Sequence, residues 1–279
     1  MIRRAELGEF LRSRRARLQP ADVGLPEVGG QRRVPGLRRE ELAMLAGVSV
    51  DHYTRLEQGR GVQFSEAVLD AVARALRLSE VERQHLHNLA RPSAGAPEPQ
   101  HEIRPGLRRL LDSLHDVPAF VVGRRTDVLA WNPLAAALIA DFGALPPAER
   151  NKARLVFLDE GMRERYRDWE HKADDVVAYL RLDAGRHPGD PRLAALVEEL
   201  CERSPEFRER WAVHQVRDKT HGTYALHHPL VGDVQVGYET LRLPEEPDQA
   251  LVTYTVEEGS PSQTALRLLA SLTAVCHGS

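Results

Sequence analysis

The chain has 279 residues, 42% hydrophobic and 28% charged, with a formal charge of −3 at pH 7. That balance excludes a disordered chain, no apolar run reaches the roughly 20 residues that span a bilayer, and the length calls for two domains. The charge is unevenly placed: residues 1–96 carry 16 arginines against 12 acidic residues, a balance of +4, and the remainder carries 22 basic against 29 acidic, −7. Only the first part has the sign of a nucleic-acid binder. Two cysteines, Cys201 and Cys276, offer neither a metal-ligand spacing nor a disulfide framework, and they read as buried thiols.

The opening run MIRRAELGEFLRSRR is charged throughout and lacks the apolar centre of a signal peptide, so a cytoplasmic protein is expected. Residues 2–18 predict a helix with Leu7, Phe10, Leu11 and Leu18 on one face. Arg3, Arg4, Arg12, Arg14 and Arg15 lie off that face and can follow a DNA backbone or face solvent. A Pro/Gly-rich stretch to Gly36 reads as a loop inside the domain, with Arg32 and Arg33 able to form a basic arm.

Residues 37–60, LRREELAMLAGVSVDHYTRLEQGR, predict two short helices around a glycine turn. Leu42, Ala43 and Ala46 form one apolar face; Gly47 tolerates the positive φ that ends a helix; Val48, Tyr53 and Leu56 resume the apolar face. Ser49 caps the second helix, and Val50, Asp51, His52, Thr54 and Arg55 face outward. An outward face on a helix held across another suits the DNA major groove, although an ordinary αα-hairpin would show the same spacing. Asp51 can accept from cytosine N4, Arg55 can donate to guanine O6 and N7, and Val50 can touch a thymine methyl.

The run REELAMLAGVSVDHYTRLEQG resembles the XRE, or lambda-repressor-like, family of DNA-binding domains. The resemblance implies that Val50, Asp51 and Arg55 read bases and that Arg38 and Arg39 grip phosphate, where the family often has an amide in place of Arg39. Ser49, His52, Thr54 and Arg60 are expected as further backbone contacts. Two more helices complete this all-α head. Ser65 caps the first, with Val68, Leu69, Val72, Ala73 and Leu76 inward, and a Ser79–Glu82 capping box opens the second, which runs to about Arg91. The head is thus expected over 1–91, and 92–102, PSAGAPEPQHE, reads as a linker.

Beyond it, 103–279 predicts a helix at 106–114, a hairpin from runs 118–122 and 127–131 around GRRT, and helices at 133–143, 147–158, 160–183, 191–202 and 205–212. YALHHP, DVQVGYETLRL and QALVTYTVEEG then alternate as antiparallel strands, and a last helix runs over 262–274. One antiparallel sheet with helices against one side is expected. This α+β order resembles a PAS-like sensor fold. The runs RPGLRRLLD, AFVV, WNPLA, HHPLVGDVQV and EEGSPSQTALRLLA resemble the ligand-binding domain of MmyB-type bacterial regulators. That resemblance implies a small apolar ligand of the fatty-acid kind. At the strand-to-helix corner Phe120, Val122, Trp131 and Asn132 are the pocket candidates, with core packing as the plainer reading of the aromatics. The helices of 150–215 are candidates for a lid.

His214, His221, His227 and His228, near Asp218 and Asp233, match no metal signature and read as strand-end and turn residues. Glu40-Glu41 and Asp174-Asp175 read as solvated pairs. No phosphate loop, nucleophile elbow or HExxH occurs, so no enzyme is expected. No cofactor or metal is expected besides a bound fatty acid or other small apolar ligand. The expected partners are a double-stranded DNA operator, a small-molecule effector and, because one helix reads few base pairs, a second copy of the chain; no membrane is expected. A protein-interaction module in the second half, as in an antitoxin, is the main alternative; an enzyme acting through His228 is a weaker one.

Overall fold

The computed structural model describes residues 2–26, 36–60, 64–90, 102–217 and 220–277, with side chains described over residues 5–273 of these. The described residues fall into two compact units. One takes those of 1–96 together with Arg181–Ala194 and Trp211–Arg217; the other takes those of 97–180, Ala195–Arg210 and those of 218–279. The arginine arm at Arg32 and Arg33, most of the linker at 92–102, Asp218, and the side chains of Arg3, Arg4 and Cys276 lie outside the described residues.

Five helices make the head: α1 (Ile2–Arg17), α2 (Arg39–Ala46), α3 (Val50–Glu57), α4 (Glu66–Ala75) and α5 (Glu80–Ala90). Each later helix begins where expected. Ser49 Oγ accepts from His52 N at 3.1 Å and Ser65 Oγ from Val68 N at 3.3 Å. The Ser79–Glu82 box closes both ways, at 2.9 and 3.3 Å. Gly47, at φ 66°, ends α2, and the next amide, Val48 N–H, returns to the Ala43 carbonyl at 3.0 Å. The apolar residues of these helices, from Leu7, Phe10 and Leu11 through Leu42, Tyr53 and Leu56 to Val72 and Leu86, form one buried cluster. Leu182 and Val216 join it from the later segments of the unit. A Cβ on Gly8 would lie 2.3 Å from the Glu57 carbonyl oxygen, so α1 and α3 approach backbone to backbone there.

The arginines of α1 do not all stay outside. Arg14 and Arg15 are 3% and 8% exposed, which removes both from a DNA-facing row. Arg14 lies 2.8 Å from a Glu82 carboxylate oxygen and donates to the His214 carbonyl. Arg15 donates to Glu57 and to the Leu37 carbonyl.

The second unit contains α6 (Pro105–Ser113), β1 (Ala119–Val122), β2 (Val128–Trp131), α7 (Pro133–Leu138), α8 (Lys152–Leu158), α9 (Glu160–Arg165), most of α10 (Trp169–Arg186) and of α11 (Pro191–Arg203), α12 (Pro205–Ala212) through Arg210, β3 (His221–His228), β4 (Gly232–Arg242), β5 (Ala250–Thr255) and α13 (Pro261–His277). The strands form one antiparallel sheet in the order β2-β1-β5-β4-β3.

Three predicted helices depart from their expected spans, for local reasons: the one expected over 147–158 begins only at Lys152, where Asn151 Oδ1 accepts from the Ala153 and Arg154 amides. The expected 133–143 helix stops at Leu138, and Asp141 Oδ1 instead accepts from the Gly143 and Ala144 amides. The expected 160–183 helix divides at Tyr166–Asp168, because Tyr166 bridges Leu226 and Arg167 N–H donates to the Ala225 carbonyl at 3.0 Å. Sheet pairing there outweighs helical propensity. The sheet is also covered on both sides rather than one: Leu107 and Leu111 of α6 pack on Ala119, Val121 and Leu251, while the alternate residues Phe120 and Tyr254 face α8 and the α9–α10 connection.

Candidate DNA interface and ligand cavity

The face of α3 is the first site. Val50, Asp51, His52 and Arg55 are exposed, Thr54 is half-buried, and Tyr53, Leu56 and Glu57 point inward. Asp51 and Arg55, one turn apart, pair with each other at 2.9 Å while staying 71% and 65% exposed. Arg55 can therefore exchange a solvent-screened partner for another acceptor at small cost. His52 packs edge-on against Phe64, with ring centroids 5.5 Å apart. Ser49 is engaged as the cap, Arg60 is exposed, and the Arg38 amide donates to Glu41 at 2.7 Å, leaving its side chain exposed at the start of α2.

Behind that face lies a buried carboxylate that sequence reading missed. Glu57, with its side chain wholly buried, accepts from Arg15 Nε at 2.9 Å and Nη2 at 3.2 Å, and from Arg39 Nε at 2.8 Å. Burial by itself pushes the Glu57 carboxyl up, but the hydrogen bonds and charge of Arg15, with Arg39, prevail and hold it below the usual carboxylate range. Arg39 is thus tied to α3 while its guanidinium remains 40% exposed at the start of α2. The only hint in the sequence was Arg39 itself, standing where an amide is common.

The second site is a small apolar pocket in the second unit, closed up by its own side chains to about 10 Å³, room for about one water. Phe120 and Tyr254 line it from the sheet, Ile139 and Phe142 from the chain after α7, Lys152, Leu155 and Val156 from α8, Met162 and Tyr166 from α9 and its end, and Lys172 from α10. Of the four corner residues, only Phe120 lines it. Val122 is buried farther along the same strand face, and Trp131 stacks behind Phe142 with ring centroids 5.4 Å apart. Asn132 is 1% exposed and spends its amide on the backbone: its oxygen accepts from Ala119 N–H and Ala135 N–H, and its nitrogen donates to the Leu114 and Val117 carbonyls. It caps α7 and anchors the corner, so its carboxamide is committed to the fold.

The basic residues of the lining are two lysines, neither of which carried a motif. Lys172 is 3% exposed, with Nζ 4.3 Å from the Tyr224 ring centroid and 4.9 Å from that of Tyr166. Lys152 Nζ lies 5.3 Å from the Phe120 ring centroid. Burial pushes Lys152 down to about 8, against the pull of Asp175. Burial and then the charge of Lys152 hold Lys172 well below the usual lysine range, again against Asp175. Asp175 is not the solvated residue expected from its pairing with Asp174: its side chain is 9% exposed and accepts from the Tyr224 hydroxyl at 3.0 Å.

The histidines do not converge. His228 Nε2 meets the Ala137 carbonyl at 2.9 Å, His227 pairs with Asp233 at 2.6 Å, and His214 belongs to the other unit. Among the described residues no group of three or more His, Cys, Asp or Glu side chains could hold a metal ion, and Cys201 is half-buried rather than buried. No helix among the described residues is long and apolar enough to cross a membrane.

Residues 6–86 match the model of a helix-turn-helix domain. Residues 103–269 match that of the MmyB-like transcription regulator ligand binding domain. No curated protein matches the chain. A DNA-binding domain of helix-turn-helix type therefore precedes a ligand-binding domain that spans more than half of the sequence. The chain belongs to the MmyB-like transcription regulators.

Proposed function

We propose that the second domain senses a small apolar ligand of the fatty-acid kind and that its occupancy changes operator binding by the head. The observation that carries the reading is the cavity itself: a sheet face bearing Phe120 and Tyr254, closed over by α8, α9 and α10 with Leu155, Val156 and Met162 inward. Thioether and aliphatic side chains of this kind repack around a guest. A binding role, without catalysis, follows from the same lining. Ligand and operator then change each other's affinity by the same factor.

At the DNA, Val50, Asp51 and Arg55 contact base edges. Arg38 and Arg39 hold phosphate at the start of α2, and Ser49, His52, Thr54 and Arg60 contact the backbone beside them. Two copies of the chain bind paired half-sites about one helical turn apart. Supporting this assignment, the three base-reading side chains are exposed on one helix while the rest of α3 is buried.

The test is to record native and denaturing mass spectra of the full chain and to measure operator affinity, on a site selected from random DNA, before and after delipidation. A reproducible extra mass lost on denaturation, with a shift in affinity on its removal, is expected. A clean mass with a co-purifying protein, and no response to added fatty acids, would overturn the sensor reading in favour of a protein-interaction module.

A further inference from the structure

We propose that the first unit carries an acid-opened latch: the last turns of α10, from Arg181, and the segment Trp211–Arg217 close over α1 and α5 around His85 and His214, and they let go when the two imidazoles become charged. Every residue of the latch and of its seat lies within the first unit.

At neutral pH the latch is held by packing and by arginines. Leu182 of α10 and Val216 are buried in the core cluster of the head. The Arg181 guanidinium lies over the Trp211 ring, 3.5 Å from its centroid, and donates to the Trp211 carbonyl, so the two pieces of the latch are tied to each other. Arg181 also reaches Glu6 of α1 at 3.8 Å, and Arg14 of α1 donates to the His214 carbonyl. The closest approach is at His85 of α5. A Cβ on Gly185 of α10 would lie 2.2 Å from His85 Nδ1, and that nitrogen is buried with no hydrogen-bond partner among the described residues. Phe10 of α1 stands edge-on to the same ring, with centroids 5.0 Å apart.

Such a site accepts a neutral imidazole and rejects a charged one. A proton on His85 would place a charge in a buried site beside Arg181, Arg14, His214 and Arg186, each of which opposes it. His214 meets Arg181, Arg14 and Arg12; its acidic neighbour, Glu9, with Oε2 3.3 Å from Nε2, is half exposed, so its pull is screened. Glu82 of α5 and Glu6 of α1 are engaged, the first by Arg14 and Arg17 and the second by Arg181. Burial, and then Arg181 and Arg14, hold both histidines down to about 3. In the open state they return to the ordinary value of about 6.5. The open state therefore binds more protons below that pH, and acid favours it. From pH 7 to 5.5 the gain is about eightfold for each histidine and roughly 70-fold for both. Because Arg15 of α1 holds Glu57 of α3, opening takes support from the helix that carries the recognition face.

The experiment is peptide-level hydrogen exchange on the full chain at pH 7.0 and 5.5, each rate divided by its intrinsic value. It compares the natural protein, the double substitution His85→Leu with His214→Asn, and Gly185→Ala. Neither replacement in the double variant titrates, and asparagine suits the left-handed backbone of His214, at φ 53°. In the natural protein, opening over 181–186 and 211–217 is expected to rise roughly 70-fold in acid, and in the double variant by less than about fivefold. A rise below threefold in the natural protein, or an equal rise in the double variant, would overturn the latch. Alanine is the better helix former, yet at position 185 its Cβ must displace His85. Gly185→Ala is therefore expected to open the same peptides at least tenfold at pH 7 and to weaken operator binding at least threefold. Unchanged exchange would show that α10 does not seat on His85, and opening with no loss of operator affinity would remove the latch's hold on DNA recognition; either result overturns the proposal. The natural protein and Gly185→Ala answer the question even if the double variant does not fold.

Discussion

Replacing Glu57 with Gln should loosen the head more than any other single change of like size. The carboxylate is wholly buried and holds three arginine donors, from Arg15 on α1 and Arg39 at the start of α2. Removing one partner of a buried pair typically costs about 3–5 kcal/mol, because the other charge is left uncompensated. Arg15 keeps its bond to the Leu37 carbonyl, and Arg39, 40% exposed, regains water, so its share is screened to at most about 1 kcal/mol. A net loss of about 3 kcal/mol is expected, a large part of a domain's usual 5–15. Because two units need not unfold as one, the measurement is hydrogen exchange by peptide, over α1–α3 in the full chain. Opening should become roughly 100-fold more frequent at pH 7. Protection within threefold of the natural protein would refute the reasoning. The pH dependence has a definite sign: since the folded carboxyl titrates below its unfolded value, its stabilisation is complete above about pH 5 and is lost as pH falls through the folded pKa, so the deficit of E57Q should shrink in acid.

Three further outcomes follow from the same geometry. Arg39→Ala should weaken binding to all DNA sequences and flatten the salt dependence by about one counterion, read by anisotropy at several salt concentrations; an unchanged slope would remove it from the phosphate contacts. Arg55→Ala should instead relax specificity at one base pair by about 1–3 kcal/mol in competition binding, and losses alike on matched and mismatched sites would contradict the base-reading role. Asn132→Ala, which abandons four backbone partners, should cost about 3 kcal/mol through buried groups left unpaired, seen in the thermal transition of the second unit.

The head was legible because its signals are local. A cap needs an oxygen three residues before an amide, and a helix end needs a glycine that tolerates positive φ, so Ser49, Ser65, Ser79 and Gly47 announced their helices by type and spacing alone. The strands announced themselves by alternation, and the two family resemblances carried the domain order. Partnership across the sequence had no such mark. Arg14 and Arg15 look like their exposed neighbours until Glu82 and Glu57, 68 and 42 residues on, take them inside. Asn132 looked like a ligand contact until Leu114, Val117 and Ala119 consumed its amide. The helix predicted through Tyr166 gave way because β3 offered its backbone a better partner. Lys152 and Lys172 stand in charged helices where a lysine normally faces water. Only the packing of α8 and α10 over the sheet buries Lys172 and half-buries Lys152, and burial is a property of what surrounds a side chain, which no residue carries in its own identity.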